Sequence, residues 1–244
     1  LGDSVENIRE WVDYEYKSDD ATRQTIYSLR DKKRLLTVKL SGIEKMSHAS
    51  DLALVSQKAV TTTLRANGIE LPNPVPTDYE NYIEHIEKNP RIWEPLIADD
   101  PRLSSIVANS KQLVENLAKC DLATFHRVAD TLRSVDLDIR LKNETIKQWL
   151  VEVQNELAQM GTYNGLLIVW DEFTDVMDLI GVPVLKELQD IAEKFMNSEN
   201  NSYLFFISHP SAFNKIDPEQ LKQTDGRYHR MKYNMEPVSA FQIM

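Results

Sequence analysis

The run Gly165-Leu166-Leu167-Ile168-Val169-Trp170-Asp171-Glu172-Phe173 decides how the rest of the chain is read. Five consecutive apolar residues, Leu166 to Trp170, end in two adjacent carboxylates. An apolar run this short, containing β-branched residues, predicts a strand buried on both faces. A charge without a partner is costly to bury. Asp171 and Glu172 at the tip of a core strand therefore belong where the strand emerges into a site. The plainer alternative makes them the start of the next helix, whose N-terminal dipole favours acids.

Outward from this stretch, the pattern alternates. Upstream, the spacing of Ile146, Trp149, Leu150, Val153, Leu157 and Met160 predicts a helix over 143–160 that feeds the strand through Gly161 to Gly165. Downstream, Asp171 and Glu172 lead into a helical pair, the second member opened by Pro183. A second apolar strand runs from Tyr203 to Ile207 and ends at Ser208-His209-Pro210. A third is expected over 228–235, before a final helix from Glu236-Pro237. Near the start, Arg34 to Leu40 reads as a strand closed by Ser41-Gly42. Strands separated by helical spacers predict an α/β fold with a parallel sheet.

Residues 51–142 read as a helical insertion or subdomain. Asn67-Gly68 ends its first helix, and the proline-rich stretch 71–76 is a stiff connector. A helix starts at Asp78 and is broken by Pro90, and Pro95 and Pro101 keep the next elements short. A longer helix carrying Ile106, Val107, Leu113, Val114 and Leu117 follows. The last of the block starts at Asp121, with Leu122, Phe125, Val128, Leu132 and Val135 on one stripe. The predicted organisation is thus N-terminal helices and one core strand in 1–50, the helical block 51–142, the strand-bearing core 143–235 and a closing helix at 236–244.

Composition narrows the function. The 244 residues carry 38 acids against 28 bases, a formal net charge of -10. That balance argues against direct nucleic-acid binding, which needs clustered Lys and Arg. The basic cluster Arg30, Lys32, Lys33, Arg34 and Lys39 reads as a solvated helix end. Cys120 is the lone cysteine, so an intrachain disulfide is excluded and a reducing, cytoplasmic setting is expected. No apolar run is long enough for a transmembrane helix, so no membrane partner is expected. The sequence opens at Leu1 rather than Met and closes in a helical pattern, which leads us to expect the remainder of a longer polypeptide as its first partner.

The stretch Leu166 to Glu172 resembles the Walker B strand of P-loop ATPases that carry an additional strand and a catalytic glutamate. The run Tyr203 to Ser208 resembles the strand ending in the sensor residue of that class, and strand 34–40 would fit as its second core strand. The sequence Tyr228 to Pro237, followed by Ala240 to Met244, is similar to the last core strand and lid helix of AAA+, initiator-type and STAND ATPases. The helical block is also similar to those in large ATPases of bacterial anti-phage systems such as BREX.

The resemblance implies an ATP-hydrolysing motor or switch inside a larger assembly, with ATP and Mg²⁺ as cofactors. It implies a homo-oligomer or a set of defence-complex subunits as partners. Asp171 would then hold Mg²⁺, and Glu172 would orient or deprotonate the attacking water. Ser208 would reach that water or the γ-phosphate, with a helix N-cap as its alternative. Arg227 and Arg230 would offer positive charge to a neighbouring nucleotide, with surface ion pairing as theirs.

One departure stands out. The phosphate cradle Gly-x-x-x-x-Gly-Lys-Ser/Thr is absent, since none of the seven glycines precedes Lys-Ser or Lys-Thr. By the resemblance, that loop precedes strand 34–40. Two rival readings follow: a degenerate ATPase serving as a helical scaffold, and a metal-dependent hydrolase using Asp171 and Glu172. For the latter, Asp175 and Asp178 add nearby acid. The five histidines show no ligand spacing, and no Gly-x-Ser-x-Gly elbow is present.

Overall fold

The computed structural model describes residues 10, 12–32, 34–41, 46–137 and 145–209. Three strands form one parallel sheet in the order β1 (Leu35–Ser41), β2 (Gly165–Asp171), β3 (Tyr203–Phe206). The register is continuous across it: Thr37 lies beside Leu167 and Tyr203, and Lys39 beside Val169 and Phe205. Helix α1 (Asp20–Lys32) leads into β1, and α2 (Asp51–Ala66) leaves it. Then come α3 (Asp78–Lys88), α4 (Pro90–Asp99), α5 (Pro101–Ser104), α6 (Ser110–Ala118) and α7 (Leu122–Ser134). Helix α8 (Ile146–Gln159) delivers the chain to β2, and α9 (Phe173–Leu179) and α10 (Val182–Met196) link β2 to β3. The fold is mixed α/β with a parallel sheet, as the alternation of patterns predicts.

The side chains fall into two apolar clusters. The first joins one face of the sheet (Leu36, Val38, Leu40, Leu166, Ile168, Trp170) to Leu52 and Val55 of α2, Trp149, Leu150 and Val153 of α8, and Leu188 and Ile191 of α10. The second is helical throughout: Tyr79, Tyr82, Trp93, Leu113, Phe125 and Val128 sit in it, with Leu54 of α2 at its margin. Helices α3 to α7 therefore make a lobe with its own core. A stiff connector joins lobe to sheet layer. The Asn73 amide and side chain donate to Glu156 (2.8 and 3.1 Å), and Trp149 Nε1 donates to the Pro76 carbonyl at 3.0 Å.

Helix boundaries follow local chemistry. Thr77 and Glu80 form a reciprocal capping box at α3, and Asn109, Asp121 and Thr145 each cap a helix with a side-chain oxygen. Gly68 follows α2 with φ 61°, the left-handed geometry that ends a helix.

Two expectations about this lobe need correction. Ile106 and Val107 lie between helices rather than in α6, because Asn109 caps α6 one residue before Ser110. Val135 is the residue that ends α7 and is 43% exposed, so it leaves the buried stripe. Pro95 sits inside α4 and Pro101 opens α5, and these two elements are short, ten and four residues, as expected.

A third correction concerns the sheet itself. The reading of β2 as buried on both faces holds for one face only: Leu167 and Val169 are half-buried. Beside them on that face, Tyr203, Phe205 and Ile207 are 46%, 54% and 46% exposed. The reason is handedness. Both crossovers step in the same direction, from β1 to β2 and from β2 to β3, and right-handed connections then lay their helices on a single side. Among the described residues β3 pairs with β2 alone, which leaves its outer edge open. The expected strand 228–235 and helix 236–244 lie outside the described residues.

Candidate functional site

Parallel strands bring their carboxyl ends to one edge, where open α/β sheets bind ligands. Here that edge carries Ser41 from β1, Asp171 from β2 and the loop Ile207-Ser208-His209 that follows β3. An open cleft of about 300 Å³ lies there, lined by Asp171, Glu172, Thr174, Asp175, Ile207, Ser208 and His209. Of the residues singled out from sequence, Asp171, Glu172 and Ser208 thus meet in one place. Arg227 and Arg230 lie outside the described residues.

The backbone explains how two adjacent acids reach one cleft. Successive strand residues point to opposite faces. Glu172 escapes that alternation by adopting φ 55°, ψ 36°, the left-handed region that a residue with a Cβ enters at a cost. The turn is stitched on both sides: Ile207 N–H donates to the Trp170 carbonyl (2.8 Å), and Phe173 N–H donates to the Ile207 carbonyl (2.9 Å). Phe173 is fully buried, stacked on Phe206 with centroids 4.8 Å apart and edge-on to Trp170. An apolar anchor and two backbone bonds therefore hold the strained residue in place.

Polar contacts then fix the side chains. Asp171 Oδ1 accepts from the Glu172 amide at 2.9 Å, which sets the rotation of the carboxylate. The Ser41 hydroxyl donates to Glu172 Oε2 at 3.4 Å, a contact across the sheet between residues 131 apart in sequence. The His209 amide donates to Thr174 Oγ1 at 2.7 Å and ties the loop after β3 to α9. Ser41, Thr174 and His209 are the site residues that sequence reading missed. Their one signal was position, each lying within three residues of a strand's carboxyl end.

Electrostatically the described lining of the cleft is acidic: Asp171, Glu172 and Asp175 belong to it, and no Lys or Arg does among the described residues. Among the described residues no group of three or more His, Cys, Asp or Glu is arranged to hold a metal ion. Among the described residues, then, the carboxylates build no dedicated metal cage. Mg²⁺ bound with a nucleotide does not need one, since one or two carboxylates, waters and the phosphates complete its octahedron. Asp171 suits that demand.

A slightly larger hollow, about 350 Å³, lies beside the starts of α2 and α8. Its charged lining includes Lys147 and Asp190, which face each other at 3.4 Å, and it is separate from the carboxylates at the strand ends. No helix among the described residues is long and apolar enough to cross a membrane. Comparison with protein-family models, with curated proteins and with solved structures finds no match to this chain.

Proposed function

We propose that this chain is the Walker B half of an ATP-hydrolysing P-loop domain that works as a motor or switch in a larger assembly. The observation that carries the reading is the convergence of Asp171, Glu172 and Ser208, with Ser41, at the carboxyl ends of three parallel strands.

Each residue then has a task. Asp171 holds Mg²⁺, directly or through water; the ion neutralises charge on the β- and γ-phosphates when bound. Glu172, turned into the cleft by its left-handed backbone, orients the attacking water and accepts its proton. Ser41 steadies the carboxylate of Glu172, and Ser208 presents a hydroxyl to the water or to a phosphate oxygen. Arg227 and Arg230 remain candidates for charge on a neighbouring subunit's nucleotide.

The acidic cleft repels a triphosphate unless cations and backbone donors arrive with it, so a phosphate-binding loop must complete the site. The open edge of β3 suits a further parallel strand. Such a strand, in cis or from another chain, would end beside Ser208 and place a glycine-rich loop against Asp171. It would also bring connections that cover Tyr203, Phe205 and Ile207, since parallel sheets are buried on both sides. A role in anti-phage defence rests on resemblance alone.

The test is Mg²⁺-dependent ATP hydrolysis by the full-length protein beside Asp171→Asn. Loss of turnover, with retained folding and nucleotide binding restored at higher Mg²⁺, supports the reading. Full activity in the variant overturns it. A scaffold without catalysis predicts no turnover in either protein.

A further inference from the structure

Ser208 is the middle residue of the loop that follows β3, and both residues beside it are fastened to the turn after β2. On one flank, the Ile207 amide donates to the Trp170 carbonyl (2.8 Å), and the Ile207 carbonyl accepts from the Phe173 amide (2.9 Å). On the other, the His209 amide donates to Thr174 Oγ1 at 2.7 Å. The first two bonds join main chain to main chain and do not depend on which side chains are present. The third requires an oxygen on the Cβ of residue 174, which only serine and threonine supply.

The needs of its own helix do not account for that oxygen. Serine and threonine hydroxyls near a helix start commonly bond to local backbone. Thr174 instead serves an amide 35 residues away, and α9 has no side-chain cap. The stretch Trp170 to Thr174 thus does two things at once. It carries both carboxylates, Asp171 and Glu172, and it anchors the loop that brings a hydroxyl to the same cleft. Phe173, buried and stacked on Phe206, locks this stretch to β3.

We propose that Thr174 is a positioning residue, whose hydroxyl sets where Ser208 stands relative to Asp171 and Glu172. Without that oxygen the Ile207 flank stays in place, while His209 and Ser208 can turn about it. A hydroxyl that must meet the attacking water or a phosphate oxygen then loses its fixed direction, and misplacement by about 1 Å can cost on the order of 100-fold in rate. The effect on hydrolysis rests on the function proposed above; the tie between Thr174 and the Ser208 loop does not.

The test compares wild type, Thr174→Val and Thr174→Ser in the full-length protein. Valine keeps the branched shape and removes the oxygen; serine keeps the oxygen and removes a methyl. Amide hydrogen exchange at His209 and the backbone resonance of Ser208 are read without nucleotide. Single-turnover ATP hydrolysis and ATP·Mg²⁺ binding are read beside them. The valine variant should raise exchange at His209 about fivefold or more and shift the Ser208 resonance. It should also slow turnover about tenfold or more while binding nucleotide like wild type. Serine should restore all of these. Unchanged exchange and resonance in the valine variant overturn the proposal, as does wild-type turnover in that variant. So does a loss that serine fails to restore, which would mark the methyl rather than the hydroxyl. Should Thr174→Val not fold, Thr174→Ala is read in the same way. A wild type without turnover contradicts the proposed function, and His209 exchange with the Ser208 resonance still decides whether Thr174 places Ser208.

Discussion

Replacing Glu172 by glycine should make the protein more stable than replacing it by alanine. Glu172 holds φ 55°, ψ 36°. That conformation costs a residue with a Cβ roughly 1–2 kcal/mol, and glycine almost nothing. Against this gain, glycine frees the unfolded chain by about 0.5–1 kcal/mol relative to alanine. Both substitutions remove the same exposed carboxylate and the same 3.4 Å contact with Ser41, so those losses cancel in the comparison. The difference is therefore the relieved strain less the added entropy, roughly 0–1.5 kcal/mol and centred at about 0.75 kcal/mol in favour of glycine. For a chain of 244 residues, 1 kcal/mol moves the midpoint of thermal unfolding by about 2–4 °C. Urea titrations and thermal scans of wild type, Glu172→Gly and Glu172→Ala measure it. A glycine variant no more stable than the alanine variant would refute the view that the strand tip forces Glu172 toward the cleft. The same pair should be equally inactive, because both lack the carboxylate.

Two further outcomes test the frame around the site. Gly165 starts β2 with φ 154°, and a Cβ there would lie 1.9 Å from the Asn201 carbonyl oxygen, so Gly165→Ala should cost about 2–4 kcal/mol and weaken the β2–β3 pairing. Equilibrium unfolding checks this, and a loss below about 0.5 kcal/mol would contradict the close approach. Asp100 caps α5, and the Arg102 guanidinium beside it, with the Thr131 hydroxyl, holds its carboxyl well below the usual carboxylate range. A carboxyl depressed in the folded state contributes stability that is complete above its unfolded value near 3.9 and is lost as pH falls through the folded value. The advantage of wild type over Asp100→Asn, about 1–3 kcal/mol at neutral pH, should therefore shrink as pH falls below about 4. A constant gap down to strong acid would contradict it.

Much of the architecture could be read from short patterns, and the misses share a cause. Apolar runs bracketed by glycine or polar residues located β1, β2 and β3 to within about a residue, because a parallel strand needs little beyond such a run. Helix α8 was equally plain from its spaced apolar residues. What covers a strand is invisible to periodicity: Leu167, Val169 and Phe205 look alike under a helix or under open solvent. Handedness of the crossovers, a property of the assembled sheet, lays the linking helices on the opposite face. Likewise Ile106 and Val107 fit a helical stripe, yet the capping oxygen of Asn109 restarts the helix after them.

The site divides along the same line. Asp171 and Glu172 were legible because charge at the end of an apolar run demands an explanation. Ser208 was legible because it ends the neighbouring run. The Ser41–Glu172 contact was not, since it arises from a parallel register joining residues 131 positions apart. The anchoring of His209 to Thr174 depends on a turn geometry that no residue pattern announces.

The central claim is that Glu172 activates the water that cleaves ATP. Single-turnover hydrolysis by the full-length protein, wild type beside Glu172→Gln, tests it most directly, with binding of ATP·Mg²⁺ measured in the same samples. The glutamine variant should bind nucleotide like wild type and hydrolyse it at least about 100-fold more slowly. A variant that binds ATP and cleaves it at the wild-type rate would contradict the account.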